Sequence, residues 1–70
     1  MNTIEKKNLV SAKFDAERAA SNARDLLDSK FVEGYLSEKE LKALENCTEF
    51  LAALEKRFTK MYEKNKAWEA

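Results

Sequence analysis

The 70-residue chain predicts an all-α fold: an antiparallel two-helix hairpin, pairing with a second copy into a four-helix bundle homodimer. Three observations predict it. Proline is absent and glycine occurs once, at Gly34, so a long helix has one marked place to break. Apolar residues recur at three- and four-residue spacing on both sides of that point. Charged residues make up 37% and hydrophobic residues 44%, the proportions of a helix-rich, coiled-coil-like chain.

The breaker cluster is Glu33-Gly34-Tyr35-Leu36-Ser37. Gly34 can take φ > 0 and fits just past a helix C-terminus. Ser37 followed by Glu40 reads as a capping box, with Leu41 and Leu44 opening the next apolar face. Asn2 with Glu5 gives a similar start signal near the N-terminus. A single domain over 1–70 is expected, with helix 1 over about 3–32, a turn over 33–37 and helix 2 over about 38–66.

Stepping about 100° per residue places the faces. In helix 1, Leu9, Ala12, Ala16, Ala19, Ala23, Leu26 and Leu27 share one side. The alanines let two backbones approach closely. In helix 2, Leu44, Cys47, Leu51, Leu54, Phe58 and Met61 form a heavier stripe, widened by Phe50 and Tyr62. Bulky residues of one helix can interdigitate with small ones of the other. Two helices alone leave part of the helix 2 stripe wet, so a second hairpin is expected to cover it. The alternative is a monomeric hairpin that docks on a different protein. Cys47, on this stripe, reads as a buried thiol acting as a small hydrophobe.

The charges balance at 13 basic and 13 acidic. Net charge therefore gives no sign of a strongly basic nucleic-acid binder. Their distribution is uneven: residues 1–23 carry four basic and three acidic groups (+1), 24–49 four and seven (−3), and 50–70 five and three (+2). In an antiparallel hairpin the end holding both termini is mildly basic, with Lys6, Lys7, Lys56, Arg57, Lys60, Lys64 and Lys66, and the turn end is acidic. Tyr62 and Trp68 lie among these lysines, a mixture that can bind single-stranded nucleic acid or close the end of a bundle.

A single cysteine rules out an internal disulfide, and a reducing compartment is the simplest reading. Met1-Asn2-Thr3-Ile4-Glu5-Lys6-Lys7-Asn8 has no apolar segment of the signal-peptide type behind it, and no run has the length of a membrane span. A cytoplasmic protein without membrane contact is expected.

Chemistry-bearing patterns are sparse. There is no histidine, which removes Cys-His nucleophiles, Ser-His-Asp triads and the Glu-x-x-His di-iron pattern. Glu45 and Glu49, one turn apart, read as a solvated face. A lone glycine makes no phosphate loop. No catalytic residue, cofactor, metal site or small-molecule substrate is expected, and the chain reads as a non-enzyme. Gly34-Tyr35-Leu36-Ser37 through Glu40-Leu41 resembles the second half of an EF-hand calcium loop. Ser29 and Phe31, however, occupy positions that should donate carboxylates. A capped helix start accounts for the same residues.

Phe14 is the most informative single residue. It lies about 180° from the alanine seam, beside Lys7, Val10, Arg18, Ser21 and Asp25. A large aromatic there can stack on a base or partner side chain, helped by Lys13 and by Arg18 one turn away, or bury in a second helix contact. The stretch Glu5-Lys6, Leu9, Ala12-Lys13-Phe14 resembles the start of the Rop (Rom) family, plasmid-encoded helical hairpins that control copy number. The resemblance implies an antiparallel four-helix-bundle dimer that binds paired RNA hairpins through its first helices, with a phenylalanine at the position of Phe14 central to the contact. It covers about fourteen residues. The turn is longer than the family's, and Thr3, Val10 and Asp25 stand where the family has polar or basic RNA-contacting side chains.

Two functions are thus expected: a small hairpin adaptor or regulator acting by protein–protein interaction and self-association, or an RNA-binding regulator of the Rop type.

Overall fold

In the computed structural model, which describes residues 1–69, the chain is all-α. It contains α1 (Thr3–Asp28), a short α2 (Lys30–Tyr35), α3 (Glu38–Lys64) and a closing 3-10 turn (Ala67–Glu69). At 1.5 Å per residue α1 and α3 are each ~40 Å long, and the molecule measures 46 × 15 × 15 Å. The two long helices therefore lie against each other along most of their length.

The first helix does not run to residue 32. Ser29 takes an extended backbone (φ −75°, ψ 122°) and interrupts it. The Ser29 N–H donates to the Leu26 carbonyl at 3.2 Å, closing α1, and its hydroxyl accepts from the Val32 N–H at 3.5 Å, opening α2. Serine offers the backbone a local partner that competes with the helical ladder. The expected role of Gly34 is corrected as well. It lies inside α2 without positive φ, and an added Cβ would meet nothing within 4 Å. The break between α2 and α3 is made instead by Leu36 and Ser37, both extended.

Ser37 caps α3. Its hydroxyl accepts from the Glu40 N–H at 3.2 Å, while the Glu40 carboxylate accepts from the Ser37 N–H at 3.1 Å. That backbone bond first, and the bond to the Ser37 side chain second, hold the Glu40 carboxyl below its ordinary value of 4.5. A carboxyl with a lowered folded-state pKa contributes stability above its unfolded value and loses it as pH falls through the folded one. Replacing Ser37 with alanine removes the hydroxyl that accepts from the Glu40 N–H and should cost about 1 kcal/mol at neutral pH. The residue-37 N–H still binds the Glu40 carboxylate in the variant, so only the share owed to the bond with the Ser37 side chain is lost on protonation, and the gap should narrow in part below the ordinary 4.5. Denaturant titrations at pH 7 and pH 3 check this, and an equal gap at both would refute it.

The last turn of α3 ends two residues short of the expected boundary. The Asn65 side-chain amide donates to the Met61 carbonyl at 2.8 Å, and Lys66 takes a left-handed φ of 48°. This bend returns Ala67 to the side of α1, where it is almost fully buried.

The core is small. Its buried members are Leu9, Ala16, Ala20, Ala23 and Ala67, and α3 contributes none. Ala20 has no exposed surface, whereas Ala19 and Ala12 are half-buried. Relative to the stripe read from sequence, the α1 seam is rotated by roughly 30° toward Ala20. The matching rotation in α3 is roughly 60°. It turns Thr48, Ala52, Glu55 and Thr59 inward and leaves Cys47 exposed, correcting the expectation of a buried thiol. Small side chains at the contact allow the closest backbone approach: α1 presents Ala16, Ala20 and Ala23 there, while α3 sets Thr48, Ala52, Glu55 and Thr59 beside half-buried leucines.

Candidate interaction surfaces

The rotation of both helices creates the first candidate surface. It leaves Ala12, Ala19 and Leu26 of α1, and Cys47, Phe50, Leu54 and Met61 of α3, on the less covered flank of each seam. None carries a charge. Phe50 and Leu26 are half exposed or more. Phe50, Ala53, Leu54 and Arg57 line a shallow groove of ≈ 210 Å³ on this side. Leu44, Leu51, Leu54, Phe58 and Met61, the bulky stripe of α3, are each only half-buried. A folded chain whose largest buried side chain is Leu9 leaves much of its apolar payload in water.

The second surface surrounds Lys13. Its ammonium hydrogen-bonds the Glu17 carboxylate at 2.6 Å and lies 4.7 Å from the Phe14 ring centre and 4.9 Å from that of Tyr62. Tyr62 in turn meets Trp68 at 5.6 Å between ring centres, so the returning C-terminal segment extends the cluster. The bond to Glu17 holds the Lys13 pKa above its ordinary 10.5. The Lys13 side chain is only 13% exposed. Its charge is thus already matched within the fold, which leaves little for an outside anion. Phe14 keeps 46% of its surface exposed. Arg18, one turn on, pairs with Asp15 in full solvent, an arrangement worth little energetically. The structure thus brings Lys13 and Phe14 together and leaves Arg18 apart.

A third feature was not legible as a site. Phe31 and Tyr35 on α2 stack at 4.5 Å between ring centres and are 70% and 77% exposed. Their i,i+4 spacing was visible, but α2 as a separate helix was not.

A fourth is a groove of ≈ 320 Å³ between α1 and α3, lined by Arg24, Ala52, Glu55, Lys56, Thr59 and Lys60. Its two lysines belong to the basic end that the sequence predicts. Arg24 joins them only through the packing of the two helices.

Among the described residues, no group of three or more His, Cys, Asp or Glu side chains is placed to hold a metal ion. Among them too, no helix is long and apolar enough to cross a membrane. No family model matches the chain, and no curated protein or solved structure matches it either.

Proposed function

We propose that this chain is a small non-enzymatic adaptor or regulatory protein that acts by self-association and protein–protein contact. In this reading it is an antiparallel hairpin that pairs with a second copy into a four-helix bundle. The antiparallel sense is supported by two pairings: Lys13 with Tyr62, and Arg24 with the segment 52–60. Along the rod, rising numbers in α1 meet falling numbers in α3.

The observation that carries the reading is the shared rotation of the two helices away from their apolar stripes. In an antiparallel pair, that rotation turns the uncharged residues Ala12, Ala19 and Leu26 to the same side as Cys47, Phe50, Leu54 and Met61. One broad apolar face results, and a second copy of the same face is its simplest cover. Covering it would bury the residues that the single chain leaves half wet. Light scattering tests this directly: the expected mass is twice 8.1 kDa. A mass of one chain at tens of micromolar would overturn self-pairing and favour a hairpin that docks on another protein.

A second reading, an RNA-binding regulator of the Rop type, is favoured by the half-exposed Phe14 on the outer side of α1. Under it, Phe14→Ala keeps helicity and mass but abolishes binding to paired RNA hairpins. That binding should also weaken steeply with added salt, since phosphate contacts release counterions. Loss of the oligomer on the same change would make Phe14 a packing residue and remove this reading.

A further inference from the structure

Three cations converge on one groove without a partner. Arg24 reaches it from α1, and Lys56 and Lys60 from successive turns of α3. None of the three forms a salt bridge among the described residues, whereas Lys13, Arg18 and Lys42 each do. Like charges at i,i+4 on a helix repel, and here a third cation is added from the facing helix. The one carboxylate in the groove, Glu55, also acts on Lys13, whose pKa it helps raise. With three cations and one carboxylate the groove carries a net charge of +2, and Ala52 lines it beside them.

We propose that this groove binds a small phosphate-bearing ligand. A guanidinium fork can grip two oxygens of a tetrahedral anion, and two ammonium groups can neutralise the remainder. The Thr59 hydroxyl is a further donor on the same wall. The space of ≈ 320 Å³ suits a phosphate monoester with a modest apolar part, with Ala52 and the lysine stems receiving that part. The groove lies roughly 140° around α3 from the one lined by Phe50 and Leu54, at 100° per residue. It stays open if a second copy covers the apolar face. The inference does not depend on self-association and survives a monomeric mass.

The test uses inorganic pyrophosphate and adenosine monophosphate as probes, with the whole chain, followed by amide chemical shifts and by thermal melting. Expected are saturable shifts centred on Arg24, Lys56, Thr59 and Lys60, and a melting temperature that rises with pyrophosphate. The double variant Arg24→Gln/Lys60→Gln should bind at least about tenfold more weakly and lose the ligand-induced rise. Without ligand it should melt no lower than the parent, because the substitutions relieve repulsion. Shifts that never saturate, or equal binding by parent and variant, would mean adventitious ion association and overturn the proposal. So would an RNA hairpin that binds far more tightly than either probe and responds to the same variant. In that case the groove would belong to a nucleic-acid surface.

Discussion

Ala20→Leu should lower the melting temperature by roughly 10 °C, the largest stability effect expected from any single substitution in this chain. Ala20 has no exposed surface and sits at the centre of the seam, flanked one turn away by Ala16 and Ala23. An added isobutyl group has no void to enter. It must push α1 and α3 apart along much of their contact. Overpacking of this kind costs about 1–3 kcal/mol, and for a chain of this size each kcal/mol shifts melting by roughly 4–8 °C. The same change at Ala43, which is exposed on α3 and lines neither groove, should be close to neutral. Circular dichroism melts of the two variants decide the matter. Equal melting would mean that the helices are not held close through their small residues.

The second large effect concerns association. Leu54→Asp places a carboxylate on the apolar flank of α3, in the groove lined by Phe50, Ala53 and Arg57. In a lone hairpin this position is half wet, and the charge is tolerated. In a paired bundle it would be desolvated with Arg57 as the one cation lining the same groove, and desolvation outweighs that attraction in each copy. The expected result is a halved mass by light scattering, with helicity falling as protein is diluted. Glu49→Gln, on the outer face, should leave the mass unchanged. A Leu54→Asp chain that kept the parent mass would show that association, if present, uses a different face.

Both predictions turn on residues that the pattern located only approximately. The helical periodicity pointed to a seam through Ala16 and Ala23 but placed Ala19 on it in preference to Ala20. It centred the α3 stripe near Leu51 and Leu54, with Cys47 inside. Periodicity reports the mean direction of all apolar side chains. In α1 closest approach is decided by Ala16, Ala20 and Ala23, and these lie to one side of that mean. The apolar remainder is then left facing outward, and this offset is the basis of the self-association reading.

The cap at Ser37 and Glu40 was legible because its two residues lie three apart and satisfy each other locally. The break at Ser29 was not, because no acidic residue at the third position signalled it and Gly34 was the more conspicuous breaker. The place of Arg24 in its groove had no sequence signature, since Arg24 is 28 or more residues from the other members along the chain.

By itself, then, the sequence determined helix type, the capped start of α3 and the position of the break before it to within a few residues. These follow from local terms: the absence of proline, side-chain spacing and backbone hydrogen bonds to neighbouring residues. Only the tertiary structure decided how far each helix turns about its own axis, which apolar residues stay wet and which cations share a groove. Rotation about an axis leaves every local hydrogen bond intact. It is set by how closely the two backbones can approach, which no residue specifies alone.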